Sequence, residues 1–222
     1  MQVRRTDEQE LEVPGTGASA SLHGGGRTVV VLGHGAGGSR RNPMLRALAG
    51  ALAASGRAAL LYDFPYAAKG LRRPDPPAVL EAATRAAAAL ALEATGALRI
   101  VHGGRSMGGR IASQVVAGGE RADGLAFLGY PLHPPGQFEK RREAHLPAIP
   151  APMLFVQGTR DAFAREDLLL ALMRRLGDRA ELVRVLEADH SFGVRKRSGR
   201  TPGDVLAEVG DALRAWLDRH GL

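Results

Sequence analysis

The chain has 222 residues and a mass of 23.4 kDa, which suits a single α/β domain. Apolar residues make up 45% and charged residues 24%, a balance far from that of disordered chains. The chain contains no cysteine, which excludes disulfides, thiolate metal sites and thiol nucleophiles. We therefore predict one domain over residues 1–222, with residues 1–10 as a flexible, polar N-terminus.

The net charge of +7 comes almost entirely from arginine, because only Lys69, Lys140 and Lys196 are lysines. A basic surface attracts nucleic acid, anionic lipid or anionic substrates. The arginines are scattered and aromatic residues amount to 5%, which argues against a base-stacking surface. The first twelve residues lack the apolar core of a signal peptide, and the longest apolar run, residues 86–92, is too short to cross a membrane. We expect a cytoplasmic protein that binds neither membrane nor nucleic acid.

Short apolar stretches alternate along the chain with helical stretches rich in Ala and Leu. Strands are predicted at residues 28–32, 58–62, 99–102, 125–128, 153–157 and 182–186. Helices are predicted to start at Asn42, Asp75, Ser106, Arg165 and Thr201. This alternation predicts an α/β fold, with a mostly parallel sheet and helices on both faces. Residues 11–22 are predicted to supply one or two antiparallel edge strands.

The first glycine motif follows the strand at 28–32 and precedes a helix. Gly33, Gly35 and Gly38 form G-x-G-x-x-G, and Asp63 follows the next strand, as in a dinucleotide-binding site. The pattern is weak, because a chain with this glycine content contains about half a match by chance. On this motif alone, a nucleotide-binding oxidoreductase stays open.

The second motif, Gly104-Arg105-Ser106-Met107-Gly108, is a G-x-S-x-G between a strand and a helix. Chance supplies only about 0.13 matches, so this motif is the stronger signal. The serine of such an elbow lies on a sharp, strained turn that exposes its hydroxyl above the sheet. Ser106 is therefore the predicted nucleophile.

A serine hydroxyl needs a base to take its proton, and that base needs an orienting acid. Asp161 follows the strand at 153–157, and His190 follows the strand at 182–186. Ligands of open α/β sheets bind at these carboxyl ends of strands, and the order Ser, acid, His suits an elbow of this kind. Asp189 is the poorer acid, because adjacent side chains rarely face each other. We predict a triad of Ser106, Asp161 and His190.

Backbone N–H groups are the predicted oxyanion hole. One belongs to Met107, the residue after the nucleophile, and the other to the loop after the first predicted strand. We favour Ala36 for the second donor, with Gly35 as the alternative, since glycines let this loop approach a substrate closely. His34 is predicted to brace the loop.

Six segments carry a family resemblance, namely residues 33–38, 62–66, 103–110, 129–136, 157–161 and 189–192. Over roughly residues 11–220 the chain resembles the α/β-hydrolase superfamily, and in particular its small, dienelactone-hydrolase-like members. It is most similar to bacterial predicted hydrolases related to a eukaryotic testis-expressed protein and a histone-acetyltransferase-complex subunit. The resemblance implies an α/β-hydrolase fold with Ser106 as nucleophile, Asp161 as acid and His190 as base. Some relatives are scaffolds, so a non-catalytic interaction module stays open.

The walls of the site are predicted from the strand ends. Larger superfamily members insert a lid after the fourth predicted strand, where this chain has only the Pro-rich residues 129–152, so we expect a minimal lid or none. Tyr130, Pro131, Leu132 and His133 are predicted to form one wall of the site, and Asp63, Phe64 and Tyr66 the opposite wall. Arg105, beside the nucleophile, and the basic segment 195–200 would favour an anionic substrate.

Together these patterns predict a serine hydrolase that cleaves an ester, thioester or related acyl bond through an acyl-enzyme. Its expected partner is a small acyl compound. If the basic residues near Ser106 bind that compound, we expect it to be an anion. No metal or organic cofactor is expected, because His, Asp and Glu show no metal-site spacing in the sequence.

Overall fold

The computed structural model describes residues 8–222, which form one eight-stranded sheet flanked by helices. The strands are β1 (Glu8–Val13), β2 (Ala18–His23), β3 (Thr28–Gly33), β4 (Ala58–Tyr62), β5 (Arg99–Arg105), β6 (Gly124–Leu128), β7 (Met153–Gly158) and β8 (Ala180–Val185). The helices are α1 (Pro43–Ala54), α2 (Pro65–Ala68), α3 (Pro77–Thr95), α4 (Met107–Ala117), α5 (Glu166–Leu176) and α6 (Pro202–Arg219).

The sheet runs in the order β1-β2-β4-β3-β5-β6-β7-β8. Every neighbouring pair from β4 to β8 is parallel, whereas β1 and β2 form an antiparallel hairpin that pairs with β4. The mostly parallel sheet and its antiparallel edge are therefore confirmed. The prediction of a flexible start is wrong for residues 8–10, because the β1 ladder pairs Glu8 with His23 and Glu10 with Ser21. Residues 1–7 lie outside the described part of the chain.

Helices cover both faces of the sheet, as predicted. Successive side chains of a strand point to opposite faces, so β3 contributes to two cores. Val30 and Leu32 pack in the cluster that contains α1 and α6, whereas Val29 and Val31 pack in the cluster that contains α3 and α4. A central parallel strand buried on both faces has the continuous apolar sequence seen here.

Side-chain caps close to the helix in sequence fix where two outer helices start. The Asn42 side chain accepts hydrogen bonds from the N–H groups of Met44 and Leu45, which otherwise have no helical partner. Thr201 and Asp204 form a capping box at the start of α6, each accepting from the other's backbone N–H. These caps fix where α1 and α6 begin.

The connection between β6 and β7 contains a single turn of 3-10 helix, Leu146–Ala148, and no inserted domain. The expected absence of a lid domain is confirmed. The carboxyl ends of β5, β7 and β8 consequently open directly onto a cavity. Among the described residues, no helix combines the length and the apolar character needed to cross a membrane.

Candidate active site

Ser106 occupies a strained elbow between β5 and α4. Its φ of 50° and ψ of −113° lie in a region that non-glycine residues rarely adopt. The flanking glycines are required by close packing, because a methyl group on Gly104 or Gly108 would lie 2.2 Å from the carbonyl oxygen of Gly33. Gly104 also has a φ of 143°. The G-x-S-x-G spacing is thus the spacing that lets the elbow press against β3.

The tight contact at Gly108 gives a stability prediction. Gly108→Ala should lower the free energy of unfolding by about 3 kcal/mol or more, because the obstructing atoms belong to the β3 backbone and cannot turn away. Gly50→Ala is the matched control: Gly50 lies inside α1 with open space around it, so alanine there should raise the free energy of unfolding by about 0.5–1 kcal/mol. Urea unfolding measures both, and equal stability of the two variants would contradict the packing argument.

The three residues predicted as a triad meet above the carboxyl ends of three strands. His190 Nε2 lies 2.8 Å from Ser106 Oγ, and His190 Nδ1 lies 2.7 Å from Asp161 Oδ2. With the proton on Nδ1, the imidazole donates to the carboxylate and accepts from the serine hydroxyl. The sheet thus brings together residues that are up to 84 positions apart in the chain, and hydrogen bonds join them in the order Asp161, His190, Ser106.

Asp161 is held in place by two further donors. Its side chain is fully buried, and it accepts from the Gln157 side-chain amide and from the Phe163 N–H, the latter at 2.8 Å. The Phe163 ring also stacks on the His190 ring, with 4.2 Å between centroids. Sequence reasoning assigned no role to Gln157 or Phe163. The available signals were a polar residue at the end of an apolar strand and an aromatic two positions after the acid.

Asp189 faces away from the imidazole, as predicted for the poorer candidate. Its Oδ1 accepts from the N–H groups of Ser191 and Gly193, at 2.8 and 2.9 Å. These bonds close the turn that carries His190. The Asp189 side chain therefore stabilises the loop, and the hydrogen bond to His190 Nδ1 comes from Asp161.

The two backbone donors proposed for an oxyanion line the same cavity as Ser106 and His190. Met107 is the first residue of α4, so its N–H has no intrahelical acceptor. The Gly35 carbonyl accepts inside its loop from Gly38 N–H (3.0 Å) and from His34 Nδ1 (2.8 Å). A trans peptide directs N–H opposite to C=O, so the Ala36 N–H points out of the loop. This geometry favours Ala36 over Gly35 as the second donor.

The loop after β3 is braced from within, in agreement with the role predicted for His34. His34 is buried, and its Nε2 accepts from the Phe64 N–H at 3.1 Å. Burial lowers the pKa of His34, which keeps the ring neutral. Asp63 accepts from the Arg40 N–H at 2.7 Å and pairs with the Arg40 guanidinium. In a dinucleotide-binding site, Asp63 would have to bind a ribose hydroxyl. Because Asp63 is paired with Arg40 instead, the structure argues against the oxidoreductase alternative.

The cavity at Ser106 has a volume of about 540 Å³. Its apolar lining comes from Pro77, Leu80, Pro131 and Phe163, and its cationic lining from Arg105, Arg110 and Arg142. This volume is in the range of sites for small molecules. A small acyl compound would fit beside the serine.

Of the seven predicted wall residues, Pro131 lines this cavity and the other six do not. Tyr130 lies in the core against Phe127 and Phe155, because its strand-end position turns the ring under the sheet edge. Phe64 is likewise buried, edge-on to the rings of His34 and Tyr62. Both aromatic rings therefore support the site from beneath.

His133 is also buried and has a structural contact. Its Nε2 accepts from the Arg165 N–H at 3.0 Å, which ties the β6–β7 connection to the start of α5. Pro131, two residues earlier and predicted to form the same wall, does line the cavity. The direction in which an irregular segment turns decides which of its side chains reach the cavity, and residue type alone does not predict that direction.

Arg105 lines the cavity, as predicted, and its guanidinium is engaged there. Its Nη2 donates to Ser191 Oγ at 3.0 Å and lies 3.4 Å from the carbonyl oxygen of His190. Arg105 therefore anchors the loop that carries His190. No residue of the basic segment 195–200 lines the cavity, and Arg200 pairs with Glu208 instead. Arg110 and Arg142, which do line it, were not singled out from the sequence.

A serine on a strand–turn–helix elbow, facing a histidine and an aspartate from later strand ends, defines a protein of the α/β-hydrolase class. The chain belongs to the alpha/beta hydrolase domain family, whose model matches residues 26–218.

Solved structures agree with this fold along nearly the whole chain. An alpha-beta serine hydrolase homologue from Coxiella burnetii matches with a TM-score of 0.74 at 18% identity, covering 97% of this chain and 99% of that one. A dienelactone hydrolase from Anabaena variabilis gives 0.71 at 22% identity, with 97% of each chain covered. A Xanthomonas campestris protein, described as a serine hydrolase without lid, gives 0.72 at 18% identity, covering 97% and 98%. The closer relation to eukaryotic proteins stays a prediction.

Proposed function

We propose that the protein is a serine hydrolase that cleaves an ester, thioester or related acyl bond of a small molecule. The observation that carries the proposal is the chain of hydrogen bonds from Asp161 through His190 to Ser106, with lengths of 2.7 and 2.8 Å. It ends at a hydroxyl that lines an open cavity. A non-catalytic module would need neither the strained elbow nor this alignment.

Acylation begins when Ser106 Oγ attacks the acyl carbon and His190 Nε2 takes the hydroxyl proton. The carbonyl oxygen becomes an oxyanion, which the N–H groups of Met107 and Ala36 stabilise. The buried Asp161 carboxylate stabilises the imidazolium that forms. His190 then returns its proton to the leaving alcohol or thiol, and the acyl group remains on Ser106.

Deacylation reverses these roles with water as the nucleophile. His190 Nε2 takes a proton from a water molecule as that water attacks the acyl carbon of the ester on Ser106. Collapse of the second tetrahedral intermediate releases the carboxylic acid and restores the serine hydroxyl. The absence of a lid domain over residues 129–152 leaves the cavity open to the water this step needs.

Pre-steady-state hydrolysis of 4-nitrophenyl acetate and an acetyl thioester tests the proposal. Rapid acylation followed by slower hydrolysis predicts a burst of nitrophenolate of about one equivalent per active site. Peptide mass spectrometry after acid quench should find the acetyl group on the peptide containing Ser106. A folded wild-type protein that gives neither burst nor steady turnover on any ester or thioester of a broad panel would overturn the proposal.

A further inference from the structure

Two arginines of the cavity have no carboxylate partner among residues 8–222. Arg110 lies on α4 one turn after Ser106, and Arg142 lies on the β6–β7 connection. The side-chain contact of Arg110 is to the neutral Gln114 Oε1, at 3.3 Å. By contrast, the buried Arg40 pairs with both Glu10 and Asp63.

The backbone positions of both arginines are fixed by hydrogen bonds. Arg142 donates its N–H to the Leu132 carbonyl at 3.0 Å, and its own carbonyl accepts from the Tyr130 hydroxyl at 2.8 Å. Arg110 donates its N–H to the Ser106 carbonyl at 3.1 Å. The backbones of both arginines are therefore held relative to the nucleophile before any substrate arrives, so binding costs mainly side-chain freedom.

The electrostatics of the pair is unfavourable without an anion. Burial lowers the pKa of Arg142, and the nearby charge of Arg110 lowers it further. The pKa of His145 is also lowered, by burial and then by Arg110, so this neighbour stays neutral and adds no further positive charge. Asp75 is the carboxylate that lines the cavity, and it already accepts from the Tyr66 N–H at 2.8 Å. An incoming anion would relieve the repulsion between the two guanidinium groups.

We propose that Arg110 and Arg142 bind an anionic group of the substrate, a carboxylate or a phosphate, while Ser106 attacks its acyl carbon. This inference rests on the proposed function and adds a substrate class to it. Four residues of helix separate Ser106 from Arg110, about 6 Å of rise along the axis. Both guanidinium groups line the same cavity as Ser106, which favours half-esters of dicarboxylic acids or acyl compounds that carry a phosphate.

The test compares mono-4-nitrophenyl adipate with its neutral methyl ester, in which a methyl ester replaces the distal carboxylate. Wild type should have at least tenfold higher kcat/KM for the anionic ester. Arg110→Gln and Arg142→Gln should each lower kcat/KM for the anionic ester about tenfold and leave the neutral ester within about twofold. Arg174→Gln, which removes the same charge from an exposed position on α5, should change neither. Competition by adipate and by inorganic phosphate distinguishes the two kinds of anion.

Binding measurements separate this inference from the proposed function. Ser106→Ala should bind monomethyl adipate more tightly than dimethyl adipate, and adding Arg142→Gln should remove that preference. Equal kcat/KM for the two nitrophenyl esters in wild type would overturn the anion site and leave the hydrolase intact. Failure to hydrolyse either ester or any member of the broad panel, with charge-dependent binding retained in Ser106→Ala, would overturn the hydrolase and support the anion site.

Discussion

Replacing Ser106 with alanine should lower kcat for ester hydrolysis by about 10⁴- to 10⁶-fold, the range seen when a triad nucleophile is removed. The variant lacks the atom that forms the acyl-enzyme, so water must attack the substrate directly. KM should change little, because the Met107 and Ala36 N–H groups and the cavity walls remain. Steady-state kinetics with 4-nitrophenyl esters measures the loss, and thermal unfolding should show a folded variant.

Ser113→Ala is the matched control. Ser113 Oγ also lies 2.7 Å from a histidine nitrogen, Nε2 of His145, so hydrogen bonding to histidine alone does not distinguish the two serines. Ser113 is fully buried within α4, where no substrate reaches it. Its alanine variant should keep kcat within a few-fold of wild type. Loss of activity in folded Ser113→Ala, with activity retained in Ser106→Ala, would show that Ser106 is not the nucleophile.

Asp161→Asn should lower kcat by about 10³- to 10⁴-fold. An uncharged amide does not stabilise the imidazolium, and its NH₂ group facing Nδ1 would favour the tautomer with the proton on Nε2. That tautomer cannot accept the Ser106 proton. The effect should be large because the Asp161 side chain is fully buried, where water does not replace the lost charge. The kcat of ester hydrolysis near neutral pH measures it.

The neighbouring acid supplies the comparison for this variant. Asp189→Asn keeps a side-chain oxygen that accepts from the N–H groups of Ser191 and Gly193, so the His190 loop should retain its shape. Its kcat should stay within a few-fold of wild type. A larger loss in Asp189→Asn than in Asp161→Asn would show that the wrong acid has been assigned to His190.

The sheet and the triad positions could be predicted because each depends on a strong, local pattern. Continuous apolar strands between helical stretches specify a parallel sheet, and every parallel strand presents its carboxyl end at one edge. Ser106, Asp161 and His190 each follow such an end, so their proximity follows from topology. The helix cap at Asn42 could also be predicted from the sequence, because it depends only on the local backbone.

The cavity walls could not be predicted, because they depend on how irregular segments turn. Tyr130 and Pro131 are adjacent, yet one packs in the core and the other lines the cavity. Arg142 reaches the cavity from a segment without regular structure, held by the distant Tyr130 hydroxyl. The position of Arg110 near the cavity could have been predicted, since Arg110 follows the nucleophile by one helical turn. The pairing of Glu8 with His23 also depends on tertiary contacts, so a polar sequence concealed a strand.

Fluorophosphonate labelling followed by intact-protein mass spectrometry tests whether His190 activates Ser106. Such a probe reports an activated serine without knowledge of the substrate. We predict one adduct on wild type, none on Ser106→Ala, and labelling slowed by at least about 10³-fold in His190→Ala. Absence of an adduct on folded wild-type protein, or an adduct that persists on Ser106→Ala, would show that Ser106 is not an activated nucleophile.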